Sequence, residues 1–362
     1  MPHPETAHRP DDRRETRRRG EEGTVGGGRD LIWRGAAPVR GEPGAAGQVC
    51  AVVLTYNRRD LLRECLGAVT GQTCPPDHVL VVDNASTDGT GELLRAAFPG
   101  VEVVRLEHNA GSASGFHTGL EAAYRRGFGW VWLMDDDVTP EPGALGALIG
   151  GAGRLGGAGE EVGFVCSRVV GTNGASMNVP GVDGRPGPNL YPEWETHLAL
   201  GVVRLRQSTF VSILLPRDTI REVGLPLRDL HTFGEDTEYT LRITNVRPAY
   251  LVGGSVVTHH RARQAPLDIA LETDPARLPA HFHKLRNDVY IARRYYGRRR
   301  VLALYLDGLR RLPRLLTLPH GPRRAALTLL ALAAGAFFWP PKEPPLSGAE
   351  VRTKRPARTG AV

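Results

Sequence analysis

Short apolar runs at residues 49–55, 78–83, 101–106 and 129–134 alternate with segments whose apolar positions repeat at helical spacing. The first run reads Val-Cys-Ala-Val-Val-Leu-Thr and the second His-Val-Leu-Val-Val-Asp, near-continuous apolar stretches suited to strands buried on both faces. Leu61, Leu62, Cys65, Leu66 and Val69 share one face of a helix over 59–70. Asp88 stands where it can cap a second helix carrying Leu93, Leu94 and Ala97, and residues 115–126 form a third. This order predicts an α/β fold with a mostly parallel, Rossmann-like sheet flanked by helices. Right-handed crossovers then bring the carboxyl ends of the strands to one edge.

Polar residues gather at that edge. The first strand runs into Thr55-Tyr56-Asn57-Arg58, the second into Asp83-Asn84-Ala85-Ser86, and the third leads to Asn109-Ala110-Gly111-Ser112-Ala113-Ser114-Gly115. The fourth ends abruptly in Asp135, Asp136 and Asp137. A polar ligand bound at the carboxyl ends accounts for the recurrence. Turn chemistry competes, because Asn, Asp, Ser and Gly also form turns. Three carboxylates at a strand end are costly unless a cation neutralises them. Mg²⁺ is held by one or two carboxylates plus substrate phosphates, so a metal–diphosphate site is one reading and a solvated acidic turn the other. No GxxxxGK[ST] loop is present and no GxGxxG follows the first strand, which gives little support to an NTPase or a dinucleotide oxidoreductase.

The second half is less periodic. Pro140 and Pro142 open a helix over 141–150, and the Gly-rich stretch 150–159 reads as a surface loop. Residues 163–170 read as a strand, and 202–215 hold one or two more. The Gly-, Pro- and Asn-rich segment 171–197 could line an acceptor groove or act as a lid. His231-Thr232-Phe233-Gly234-Glu235-Asp236 opens a helix, where acids are favoured by the dipole or serve as a base at the site edge. A strand over 249–258 ends in His259-His260, either a metal or phosphate contact or plain surface.

The chain has 362 residues and a formal net charge of +7, unevenly placed. Residues 1–30 are rich in Arg, Gly, Glu and Asp, so a disordered tail is expected over 1–47 and another over 341–362. The N-terminal tail has no apolar core for a secretory signal, and its arginines are interleaved with acids, which argues against nucleic acid. Cys50, Cys65, Cys74 and Cys166 form no CxxC pair, which suits a reducing, cytoplasmic compartment. Residues 297–340 are basic and apolar. The run Ala325–Trp339 would span only about 22 Å as a helix, too short for a typical bilayer core of about 30 Å. It suits a helix lying at a membrane surface, or a hairpin packed on the protein itself.

Together, Val-Val-Leu-Thr-Tyr-Asn-Arg, Val-Val-Asp-Asn-Ala-Ser-Thr-Asp-Gly-Thr, Asn-Ala-Gly-Ser-Ala-Ser-Gly-Phe, Asp-Asp-Asp, Phe-Gly-Glu-Asp-Thr-Glu-Tyr and the late His resemble family-2 glycosyltransferases of the GT-A fold, in order and spacing. The resemblance covers about residues 49–296, with a nucleotide-sugar half (48–150), an acceptor half (151–296) and a C-terminal helical extension. It implies inverting transfer of a sugar from a nucleotide diphosphate (UDP or dTDP), with Mn²⁺ or Mg²⁺ as cofactor. It further implies that Thr55, Asn57, Arg58 and Asp83 hold base and ribose, with the Asn109–Gly115 loop near the donor. Asp137 would be a metal ligand, Asp135 would lie nearer the ribose, and His259 would add a metal or diphosphate contact. Of Glu235 and Asp236, the resemblance points to Asp236 as base. The Gly/Ala/Ser loop, the triple Asp and Arg286-Asn287 are similar to galactofuranosyl- and rhamnosyltransferases of bacterial envelopes, which act on glycan or polyprenyl-linked acceptors. Peripheral association with the inner face of the cell membrane follows as an expectation. The loop lacks that group's Gly-Gly pairs, and Phe233 stands where Trp is usual. QxxRW, the mark of processive synthases, is absent, so addition of one or few sugars is expected. Two alternatives are a nucleotidyltransferase, which would want a basic Gly-rich loop after strand one, and a non-catalytic membrane scaffold.

Overall fold

A computed structural model describes residues 31–33, 47–261 and 267–346. Most of the expected tails, 1–47 and 341–362, lies outside them. Within the first tail, Leu31–Trp33 (β1) pair antiparallel with the edge strand of the sheet.

The first half alternates as expected: β2 (Val49–Thr55), α1 (Arg59–Thr70), β3 (His78–Asp83), α2 (Thr90–Ala97), β4 (Glu102–Arg105), α3 (Gly111–Arg125) and β5 (Trp130–Asp135). Strands β4, β3, β2 and β5 lie side by side in parallel. Helix α3 begins at Gly111 rather than 115, so most of the loop read from sequence is the helix's first turn. Asp88 caps two helices: one carboxylate oxygen accepts from the Arg59 N–H at 2.9 Å and the other from the Thr90 N–H at 3.2 Å.

The second half comprises β6 (Val138–Pro140), α4 (Ala144–Gly157), β7 (Phe164–Gly171), β8 (Gly181–Val182), β9 (Val202–Gln207), β10 (Ile213–Pro216), α5 (Arg217–Val223), α6 (Glu235–Thr244) and β11 (Ala249–His259). The sheet is not mostly parallel here. Strand β10 inserts antiparallel between β5 and β7, and β11 runs parallel to β7 but antiparallel to β6 and β9. The expected loop over 150–159 is helical to Gly157. One of its glycines serves close packing: a Cβ at Gly151 would lie 2.7 Å from a Val252 methyl on β11.

Side-chain alternation divides the core between the two faces of the sheet. Cys50, Val52 and Leu54 face Phe116 and Leu120 of α3. Val49, Ala51 and Val53 face Leu62 and Leu66 of α1 and Leu145 and Leu148 of α4. Both faces are sealed by helices, so ligand access is left to the strand ends.

Beyond the sheet come α7 (Leu278–Ile291), a π-turn over 292–296, α8 (Arg298–Leu316) and α9 (Gly321–Phe337). Among the described residues no helix is long and apolar enough to cross a membrane. Helix α9 packs on α7, where a Cβ at Gly335 would lie 2.7 Å from Val289 Cβ. Buried Arg324 donates to the carbonyls of Ile269, Glu272 and Pro319. One face of the apolar run 325–339 is therefore packed on the protein, as in the hairpin reading.

Candidate active site

Strand register assembles the acidic centre. Leu54 of β2 pairs with Asp135 of β5, which places Thr55 just beyond the end of β5. The Thr55 hydroxyl donates to Asp136 Oδ2 at 2.7 Å, and the Tyr56 N–H reaches the same oxygen at 3.3 Å. Arg58, at the start of α1, sends Nη1 to Asp136 Oδ1 (3.2 Å) and Asp137 Oδ2 (2.6 Å). On the other side, β11 pairs His259 with Val138, next to Asp137. His259 Nε2 lies 3.1 Å from Asp137 Oδ1, and its Nδ1 lies 2.9 Å from Asn178 Oδ1. His260 points elsewhere, with Nε2 2.8 Å from Thr139 Oγ1.

The protonation balance follows from these contacts. Burial pushes Asp135 well above the usual carboxylate range, and the Asp137 and Asp136 charges add to it. Burial also raises Asp136, to about 6, against the pull of Arg58 and Thr55. For Asp137 burial acts in the same sense, but the His259 hydrogen bond and the Arg58 charge outweigh it and hold the carboxyl low.

The donor set fits a hard divalent ion. His259 Nε2 and Asp137 Oδ1 lie 3.1 Å apart, and an imidazole nitrogen beside a carboxylate oxygen is a pair of ligand atoms that a divalent cation accepts. Among the described residues no cluster of three acidic, imidazole or thiol side chains forms a complete cage. A site with few protein ligands completed by phosphate oxygens is the usual Mg²⁺ arrangement.

A second set of acids approaches from α6. The segment before it is held in unfavourable backbone: φ is +61° at His231, +60° at Phe233 and +96° at Gly234. Such conformations persist only when the surroundings enforce them. Asn287 of α7 does so, its amide donating to the carbonyls of Leu230 (2.8 Å), Thr232 (3.2 Å) and Phe233 (2.7 Å). Arg286 adds a bond to Asp229 O at 2.9 Å. From the α3 side, Ala113 N–H donates to His231 O at 3.0 Å. Gly111 is required at this crossing: its φ is +83°, and a Cβ there would lie 2.2 Å from His231 O. Glu235 is thereby placed against α3, with Oε1 2.5 Å from Ser112 Oγ. Its Oε2 is buried without a hydrogen-bond partner among the described residues. Burial, together with the Asp236 charge, pushes the Glu235 carboxyl up to about 8. The Glu235 charge bears in turn on Asp135, so the acids of α6 and β5 share one electrostatic site. Asp236 is only partly buried and accepts from the Thr237 N–H at 2.6 Å. Burial raises it too.

A cleft of about 320 Å³ runs between these groups, lined by Thr55, Arg58, Asn84, Asn109, Gly111, Asp135 and Asp136, with Ser112, His231 and Thr232. Seven of the fourteen candidate residues therefore line it; Glu235, Asp236, Asp137 and His259 do not, Asp137 facing a neighbouring cavity of about 300 Å³ instead, and neither do Asp83, Asn57 and Gly115. Asp83 is buried, bonded to Arg105 and to the Ser86 N–H, and faces a separate cavity of about 280 Å³. Asn57 ties the first two strand ends together, its Oδ1 accepting from the Thr87 N–H at 2.7 Å. Gly115 is a packing residue, where a Cβ would lie 2.3 Å from a Leu54 methyl. Asn84 and Asn109 brace the start of α3: Asn84 Oδ1 accepts from the Ala110 N–H at 2.9 Å, and Asn109 Oδ1 from the Gly111 N–H at 3.0 Å. Sequence reasoning passed over Ser112, Asn178 and Arg105 as individual partners. Only the polar composition of their segments hinted at them.

An α/β sheet with clefts at its strand ends, an acid cluster on β5 and further acids on α6 has the architecture of the GT-A fold. Residues 50–172 match the family described as Glycosyl transferase family 2. Galactofuranosyltransferase GlfT1 of Mycolicibacterium smegmatis is 41% identical over 92 residues, 25% of this chain and 30% of that protein. Glycosyltransferase AglE of Haloferax volcanii is 26% identical over 221 residues, 59% of this chain and 67% of that protein. Polyprenol monophosphomannose synthase of M. smegmatis is 36% identical over 102 residues, 27% of this chain and 38% of that one. The chain thus matches less than half the length of the first and third. The solved structure of GalNAc-T7 with UDP, GalNAc and Mn²⁺ shares the fold, at TM-score 0.50 and 14% identity, covering 78% of this chain and 55% of that one.

Proposed function

We propose that this chain transfers a sugar, with inversion, from a nucleoside diphosphate donor (UDP- or dTDP-linked) to a glycan or polyprenyl-linked acceptor of the cell envelope. The observation that carries the reading is the convergence of β2, β5, α3 and the turn leading into α6 on one cleft, with Asp135 and Glu235 within electrostatic reach of each other. The name of the galactofuranosyltransferase relative favours galactofuranose as the sugar, with rhamnose second. The polyprenol-phosphate mannose relatives favour a lipid-linked acceptor met at the inner face of the membrane.

In this reading the donor lies along the strand ends. Thr55, Tyr56 N–H and Arg58 keep Asp136 fixed. Asn84 and Asn109 fix the start of α3 by accepting from the N–H groups of Ala110 and Gly111. Asp135, Asp137 and His259 are the residues that would hold Mn²⁺ or Mg²⁺, and the ion would supply neutralisation of the departing diphosphate's charge. Burial raises both carboxyls, Glu235 to about 8, so Glu235 holds its proton at neutral pH and Asp236 is the member assigned as base. Asp236 takes the proton of the acceptor hydroxyl, whose oxygen bonds to the anomeric carbon while the bond to the diphosphate oxygen breaks. A single displacement from the opposite face inverts the centre and requires no carboxylate nucleophile.

The test is release of nucleoside diphosphate from UDP-galactofuranose, dTDP-rhamnose and UDP-hexoses with Mn²⁺ or Mg²⁺ present. Asp137→Ala should slow release by about 100-fold or more, the scale of losing an electrostatic stabiliser. Release by the variant at the wild-type rate would end the assignment. Release of pyrophosphate instead would identify a nucleotidyltransferase.

A further inference from the structure

Helix α8 is amphipathic, yet its apolar stripe faces outward. Leu302, Leu306, Leu309 and Leu316 are 60%, 41%, 48% and 55% exposed. At 100° per residue these four, with Pro313, fall within about 80° of arc. Arg299, Arg310 and Arg314 border the stripe on one side, all exposed and without an acidic partner among the described residues. The neighbouring α9 repeats the arrangement. Its buried face (Arg324, Thr328, Ala331, Gly335) is turned inward, and Leu329, Leu330 and Phe337 are exposed, the last at 87%. Water-exposed apolar stripes of this length mark a docking surface. Self-association through α8 would bring the arginines of two copies together, whereas an anionic bilayer satisfies leucines and arginines at once.

We infer that the α8–α9 hairpin docks on an anionic membrane surface, with the α8 leucines in the headgroup–acyl boundary and the flanking arginines on lipid phosphates. The hairpin is also tied to the acidic centre. Arg311 pairs with Asp268 at 3.0 Å, and Arg324 holds the carbonyls of Ile269 and Glu272. That segment walls a cavity of about 300 Å³, also lined by Arg58, Asp137, His260 and His281. Docking therefore sets this cavity close to the lipid surface, where an acceptor on a polyprenyl chain would enter. That last consequence rests on the proposed transfer; the docking does not.

Co-sedimentation of the full chain with phosphatidylcholine vesicles, with and without phosphatidylglycerol, tests the docking. The bound fraction should rise with phosphatidylglycerol and fall with added salt. Replacing Leu302, Leu306 and Leu309 together by Ser should lower partitioning by about tenfold or more, with the melting temperature and the rate of donor cleavage in solution unchanged. Replacing Arg299, Arg310 and Arg314 together by Gln should abolish the dependence on phosphatidylglycerol. Wild-type protein that stays in the supernatant, or a leucine variant that partitions like wild type, would overturn the inference. So would a wild-type dimer in light scattering that the leucine variant dissolves while neither protein binds vesicles. Failure of donor cleavage with vesicle binding intact would count against the transfer reading alone.

Discussion

Glu235 carries a proton at neutral pH because burial and the Asp236 charge both oppose its ionisation. Its pKa rises from 4.5 to about 8 on folding, so the unfolded chain releases this proton first as pH climbs. The contribution to stability is therefore full below about pH 4.5 and is lost as pH rises through about 8. Glu235→Gln keeps the shape and removes the titration. Its melting temperature should gain on wild type from about pH 5 to about 8 and level off above, and equal pH slopes for the two proteins would refute the protonated state. His117 behaves in the opposite sense. Burial and the Arg228 charge hold it down to about 4, against the pull of its bond to Pro226 O at 2.8 Å, so its contribution is present above about 6.5 and lost as pH falls through about 4. His117→Gln should flatten the acid limb of the stability curve between those values. The acids themselves were legible in the sequence, because carboxylates ending an apolar run are conspicuous. Their partners were not. Ser112 reads like any serine in a small-residue run until α6 is folded against α3.

At the scale of elements, the site depends on where α6 begins. The positive-φ turn at His231–Gly234 is set by Asn287 from α7 and by the close crossing of Gly111. Asn287→Ala leaves buried carbonyls without a donor and should cost about 1–3 kcal/mol in urea unfolding. Gly111→Ala forces a side chain into a left-handed residue and against His231 O, and should cost a similar amount or more. Both changes should reduce transfer beyond their effect on folding, because each releases the start of α6; full transfer in a folded Gly111→Ala protein would show that the crossing is dispensable. The strands and helices up to β5 were readable from periodicity, since local pattern and tertiary environment agree there. The extension of α4 through Gly150–Gly157 was not, because glycine signals a loop locally and here permits contact with Val252.

For the whole molecule, the parallel half of the sheet and α3 wall the cleft, the mixed half brings His259 against Asp137, and the turn before α6 closes the cleft with His231 and Thr232. The parallel half follows from strand–helix alternation. The insertion of β10 between β5 and β7 does not, because pairing partners distant in sequence leave no local trace. The arginine–leucine pattern of α8 signalled a surface helix, whereas its outward orientation depends on how α9 fills the space over α7.

The central claim is that the acids of β5 and those of α6 serve one reaction, the first at the donor and the second at the acceptor. Asp236→Asn tests it most directly, with donor affinity measured by calorimetry beside the rate of sugar transfer. Affinity should stay within about threefold of wild type while transfer falls by about 100-fold or more, the signature of a lost base. Collapse of donor affinity, or transfer at the wild-type rate, would contradict it.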